Sequence, residues 1–186
     1  MELQLPRHHT QAFSQSLIIG AAAKEILRGL LEASGYKVYP FGYESSLSTL
    51  KMTITENSIP ESSAVRRVRS MPDYVVTSES GLHLLEVKFR KRLDQQGHPG
   101  VLMKNDDLNK YQQYWSESVI ALISPYGQRF FCQDVRELLP GRMDTKWFGY
   151  DSFRPLSNMY PRTEDKLKSF GVAVDKLGSL WDHNSE

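Results

Sequence analysis

The most telling pattern of apolar and polar positions lies in the middle of the chain. Tyr74-Val75-Val76-Thr77 and Leu82-His83-Leu84-Leu85 flank Ser78-Glu79-Ser80-Gly81, which predicts strand, tight turn and strand. A two-residue or four-residue turn centred on Glu79-Ser80 pairs Thr77 with Leu82 and Val75 with Leu84, giving a hairpin over about 73–89. Upstream, residues 14–33 read as a helix with Leu17, Ile26, Leu27, Leu30 and Leu31 on its apolar face, Ser14 as cap and Gly35 as stop. Tyr36 to Pro40 reads as a strand. The stretch 41–70 is ambiguous: Leu47 to Thr55 suits helix or strand, and residues 59–63 are loop-like.

Beyond the hairpin, Gly97-His98-Pro99-Gly100 predicts a mobile loop over 90–105. Asp106 or Asp107 can cap a short helix to about Trp115, with Leu108, Tyr111, Gln112 and Trp115 along one face. Residues 119–123 are continuously apolar, as in a strand buried on both sides. A turn at 125–128 leads to a strand at 129–132, and Asp134 or Val135 begins a helix ending near Pro140. Residues 141–162 read as irregular and aromatic-rich. Thr163 can cap a last amphipathic helix that turns Leu167, Phe170, Val174, Leu177 and Trp181 inward. The order of elements predicts an α/β fold, a mixed sheet flanked by helices. Residues 1–13, with His8-His9, are expected to form a flexible N-terminal arm, 14–140 the core, and 141–186 a C-terminal extension whose terminal helix packs on that core.

Composition narrows the picture little. The formal net charge of +1 neither suggests nor excludes nucleic acid. The single cysteine, Cys132, excludes an intramolecular disulfide and suits a reducing cytosol; in a strand it reads as a buried, inert thiol. No apolar run approaches the roughly 20 residues of a membrane span. Leu17 to Ala23 is cut short by Lys24 and Glu25, so it reads as a buried helix face of a cytoplasmic protein without membrane association.

The chemistry is concentrated at one end of the hairpin. Its register carries Asp73 (of Met71-Pro72-Asp73) opposite Glu86, with Cβ atoms roughly 5 Å apart, and Lys88 follows Glu86 by two onto the same face. Opposed like charges destabilise a sheet; a divalent cation between the carboxylates reverses that penalty, because hard cations such as Mg²⁺ take carboxylate oxygens. His83 has the opposite parity and is rejected as catalytic. The bland reading of the cluster is a structural Glu86–Lys88 ion pair at a strand end.

Pro72-Asp73, Glu86-Val87-Lys88 and the order of elements over about residues 15–140 resemble the PD-(D/E)XK nuclease superfamily, the restriction-endonuclease-like fold. Gly20, Glu25 and Gly35-Tyr36-Lys37-Val38 are similar to the first helix of archaeal-type Holliday junction resolvases. The resemblance implies a Mg²⁺ ion, with Mn²⁺ as a substitute, held by Asp73 and Glu86. Val87 would offer its carbonyl and Glu25 would reach the metal through water. Lys88 would position or activate the attacking water. It implies no small-molecule organic cofactor. The alternatives for Glu25 are a surface pair with Arg28 and replacement by Glu44. Gln112 is similar to a glutamine of several branches, but Tyr111-Gln112-Gln113-Tyr114 lacks the Gln-x-x-x-Tyr spacing of the RecB-like branch; Tyr111 and Trp115 read as core packing.

Two basic clusters flank the hairpin: Arg66, Arg67 and Arg69 before it, Arg90, Lys91 and Arg92 after it. They suit sequence-independent phosphate contacts, or simply a solvated charged surface. The reading is a metal-dependent DNA endonuclease, structure-directed and resolvase-like, acting as a homodimer because symmetric cutting of two strands needs two sites. The alternatives are a restriction-type or DNA-end-processing nuclease, or a non-catalytic nucleic-acid- or protein-binding module on the same fold.

Overall fold

The computed structural model describes residues 7–42, 59–94 and 96–182. Glu44 and the stretch Leu47 to Thr55 therefore lie outside the described residues, as does the side chain of Trp181. Helix α1 (Arg7–Ala33) starts ahead of the expected Ser14. Its end follows expectation. Gly35 adopts φ +82°, its N–H donates to the Glu32 carbonyl, and the Tyr36 N–H donates to Leu31. That pair of bonds is the Schellman stop. Strand β1 (Lys37–Pro40) follows. A helix, α2 (Ser63–Arg69), stands where residues 59–70 had read as loop and basic cluster; Ser62 caps it by accepting from the Val65 N–H.

Strands β2 (Tyr74–Ser78) and β3 (Gly81–Phe89) form the predicted hairpin, with Val75 opposite Leu84 and Thr77 opposite Leu82. Ser78 pairs with Gly81, so the turn is the two-residue form, and Gly81 supplies its positive φ of +126°. The segment after the hairpin departs from expectation. Residues Gly100–Lys104 are not loop but a strand, β4, that leads directly into helix α3 (Asn105–Tyr114). Neither Asp106 nor Asp107 caps α3; both lie in its first turn, where their charges complement the helix dipole.

Strand β5 (Ser118–Ile123) is buried at every position, as its unbroken apolar run predicts. Strand β6 (Phe130–Asp134) leads to a single 3₁₀ turn at Val135–Glu137 in place of the expected helix. The region expected to be irregular holds β7 (Thr145–Gly149), β8 (Arg154–Pro155) and α4 (Leu156–Met159). A 3₁₀ segment, Pro161–Lys166, contains Thr163, whose hydroxyl donates to the Tyr160 carbonyl; helix α5 (Leu167–Asp182) starts after it.

The main sheet runs β1-β2-β3-β5-β6-β8, with β3–β5 parallel and its other pairs antiparallel; β4 and β7 form a small second sheet. This mixed central sheet flanked by helices is consistent with the expected restriction-endonuclease-like α/β architecture. Strand β5 divides two cores by its alternation. Val119, Ala121 and Ile123 join Leu27, Leu30, Leu31, Val174 and Leu177 of α1 and α5. Ile120 and Leu122 join Leu108, Tyr111, Val101 and Phe148 on the other side. In β3, Leu85, Val87 and Phe89 face the α1 side, so strand parity turns Glu86 and Lys88 the other way. Cys132 is buried and unpaired by disulfide, and burial pushes its thiol up to about 12. Among the described residues no helix is long and apolar enough to cross a membrane.

Candidate active site

Asp73 sits one residue ahead of β2. Its carbonyl accepts from the N–H groups of Phe41 and Gly42 at 2.9 and 3.2 Å, which fixes the backbone where the strand begins. Its side chain is 13 % exposed; Oδ2 accepts from the Val87 N–H at 2.9 Å and Oδ1 meets Lys24 Nζ at 2.5 Å. Burial and the neighbouring Glu86 charge raise the Asp73 carboxyl from 3.8 to about 6, outweighing Lys24 and the Val87 N–H. Asp73 therefore feels the Glu86 charge, and it lies one residue beyond the Tyr74–Leu85 pair of the hairpin.

Glu86 is 7 % exposed. Its Oε1 accepts from Lys88 Nζ at 2.6 Å and from Tyr111 Oη at 2.7 Å, and Lys88 also donates to Tyr111 Oη at 3.1 Å. Burial first, then Glu86, raises the Tyr111 phenol, so it stays protonated and donates. The three residues form a closed triangle beneath the cleft.

Glu25 lines the same cleft of about 600 Å³ as Asp73, Glu86 and Lys88. Its side chain is 66 % exposed, and its carboxylate accepts from Tyr74 Oη at 3.3 Å and lies 3.8 Å from Arg28. Both readings of Glu25 are thus present: a place at the cleft and the i,i+3 pair with Arg28. Among the described residues, no group of three or more His, Cys, Asp and Glu side chains comes together as a metal cage.

A second cleft, about 590 Å³, is lined by Lys88, Arg90, Lys91 and Arg92. The two clefts share Ser16, Gly20, Lys24, Glu86 and Lys88. Arg69 lines the first. The basic residues are not equally available. Arg66 and Arg69 both pair with Glu61, at 3.3 and 2.9 Å. Arg67 lies over the Trp115 ring, 5.5 Å from its centroid. Arg90 donates to the Phe89 carbonyl and burial lowers its pKa; Lys91 donates to the Gly178 carbonyl.

Sequence reading missed two contributors. Tyr111 had read as packing, yet its hydroxyl binds both Glu86 and Lys88. Lys24 had read as an interruption of an apolar helix, yet it holds Asp73. The four-residue spacing of Ser16, Gly20 and Lys24 on α1 was the available signal: it stacks the three on one side of the helix, where the two small residues ahead of the lysine leave room for a cleft. Gln112 instead donates to the Leu138 carbonyl and ties α3 to the turn after β6. His83 faces away, bonded to Ser80 and Tyr160 at 3.2 and 3.1 Å. Trp115 donates to the Arg67 carbonyl and the Ser70 hydroxyl, fastening α2 beside the site.

No protein-family model and no curated protein matches the chain. Among solved structures there is a weak match to Hjc, a Holliday junction resolvase from the archaeal hyperthermophile Archaeoglobus fulgidus. It has 13 % identity and a TM-score of 0.47, covering 76 % of this chain and 95 % of that one.

Proposed function

We propose that the protein is a divalent-cation-dependent nuclease that hydrolyses phosphodiester bonds of DNA, with a structure-directed, resolvase-like preference. The observation that carries the reading is the convergence of Asp73, Glu86 and Lys88 on one cleft from adjacent strands of a hairpin. The donor set fits Mg²⁺, with Mn²⁺ as a substitute. Both carboxylates are hard oxygen donors, and Mg²⁺ commonly takes one or two carboxylates and keeps several waters. Burial first, and the Glu86 charge after it, raise the Asp73 carboxyl despite Lys24 and the Val87 N–H, which supports a place for a compensating cation. Asp73 and Glu86 would hold the ion, with the Val87 carbonyl beside them and Glu25 at one remove. When bound, the ion lowers the pKa of water, polarises the phosphate and neutralises the leaving oxygen.

The chain's own residues have separable tasks. Lys88 places positive charge on the carboxylate face, where the transition state gains negative charge. Tyr111 orients both Lys88 and Glu86 from below. The basic residues beside the two clefts hold the backbone of the nucleic acid, and a homodimer presents two such sites to two strands. Cleavage of a labelled panel (four-way junction, duplex, flap, single strand and RNA) with Mg²⁺ or Mn²⁺ tests the reading. It predicts metal-dependent cutting with the junction preferred; no cutting of any member overturns it.

The ion pairs support a second reading. Asp73 and Glu86 each already meet a lysine, so the same fold could serve as a non-catalytic binding module. A Mn²⁺ titration separates the two: a binding module has no carboxylate-dependent metal site.

A further inference from the structure

Lys24 and Lys88 each pair with one of the two acids, but they are built in differently. Lys88 is on the strand that carries Glu86, is 20 % exposed, and has a second partner in Tyr111. Lys24 projects from α1, its side chain is 33 % exposed, and its ion-pair partner among the described residues is Asp73. It also lies where the two clefts meet, so a phosphate entering either one encounters it.

We infer that Lys24 is a tethered cation that occupies Asp73 until nucleic acid draws it away, so that metal and nucleic acid load the site together. The inference rests on the metal-dependent reading above. An ammonium has three protons and no lone pair, so it cannot join a metal's ligand set. A divalent cation on the Asp73 oxygens therefore meets Lys24 as a competitor of like charge. A phosphate oxygen offers the ammonium an equally charge-assisted partner, and the long lysine stem lets the head move while its backbone stays in the helix. Phosphate binding thus frees the carboxylate, and by linkage the metal must favour phosphate binding by the same factor.

The test is Mn²⁺ binding to the full chain, followed by calorimetry and by the spin-resonance signal of free Mn²⁺. It is run without DNA and with a phosphorothioate-substituted duplex that resists cutting. The duplex should tighten Mn²⁺ binding to the wild-type protein by about 5- to 150-fold, the ordinary span of coupling between sites. Lys24→Gln, at a part-exposed helix position where lysine and glutamine have similar propensity, should bind Mn²⁺ more tightly than wild type before DNA is added and gain less from the duplex. Lys24→Arg should keep the wild-type coupling. Unchanged Mn²⁺ affinity in Lys24→Gln without DNA, or undiminished coupling in that variant, overturns the inference. Asp73→Asn separates the two levels. If it abolishes Mn²⁺ binding while Lys24→Gln behaves as wild type, the role of Lys24 alone is lost. If it leaves Mn²⁺ binding intact, the metal-dependent reading and this inference are lost together.

Discussion

Glu86 lies inside β3, and what holds it comes from the same strand and from the helix beneath: Lys88 two residues on, and Tyr111. Asp73 lies at the sheet's end, and its cation is delivered from α1 on the opposite layer. The first half is a cross-braced triangle whose ion pair is local to β3 and whose third member, Tyr111, comes from α3. The second keeps one bond from the Val87 N–H of β3 and for its charge depends on a helix docking correctly and on one flexible side chain. A buried carboxylate can thus be kept by strand geometry or by tertiary packing, and the second way leaves it easier to exchange.

The largest effect should come from removing either acid. Asp73→Ala and Glu86→Ala should each lower cleavage by about 10³-fold or more, because the metal's Lewis-acid role is worth several kcal/mol, while DNA binding persists. Near-wild-type turnover in either folded variant would falsify the site assignment. Lys88→Ala comes next. Removing one preorganised charge at a developing oxyanion costs about 10²- to 10³-fold in rate, and Mn²⁺ affinity should fall much less. Metal binding that collapses while the single-turnover rate holds would assign Lys88 to the metal instead.

Stability should distinguish the halves more sharply than activity. The folded Asp73 carboxyl, at about 6 against 3.8, binds its proton more tightly than in the unfolded chain. Its favourable contribution is therefore present below about pH 4 and is lost as pH rises through 6. In EDTA, Asp73→Asn should melt higher than wild type at pH 7–8 and lose that advantage at pH 4. Glu86→Gln should do the opposite at pH 7–8, since it removes the charge paired with the largely buried Lys88. Melting curves across pH 4–8 decide this; equal and pH-independent shifts would erase the distinction. The smallest effects belong to the flanks. Arg67→Gln and Arg92→Gln should each flatten the dependence of log K on log salt by roughly 0.9. Arg66→Gln and Arg69→Gln should change it less, because Glu61 already balances them. A uniform slope change across all four would mean that the Glu61 pairs open on binding.

The local half of the site was legible in the sequence and the tertiary half was not. A period of two fixes Asp73, Glu86 and Lys88 relative to one another once the turn is recognised, and β5 is legible because a strand buried twice has no polar face. Tyr111 and Lys24 acquire their roles only when α3 and α1 pack on opposite sides of the sheet, and neither helix's own periodicity records that. The second sheet was hidden for another reason. Strand β4 begins at Gly100, inside a Gly-Pro-rich stretch that signals a turn, and its partner β7 lies far along the chain, opposite it through pairs such as Val101 with Phe148. Short strands whose pairing is nonlocal carry little pattern of their own.

Cys132 has a practical consequence. Its Sγ donates to the Pro155 carbonyl at 3.7 Å, its surface is fully covered, and burial raises its thiol far enough to keep it protonated near pH 8. The chain's one native sulfhydryl is chemically silent. A cysteine introduced anywhere on the surface is therefore the one a maleimide dye or nitroxide finds, and distances across the clefts become readable by optical or magnetic labels in an otherwise unaltered background.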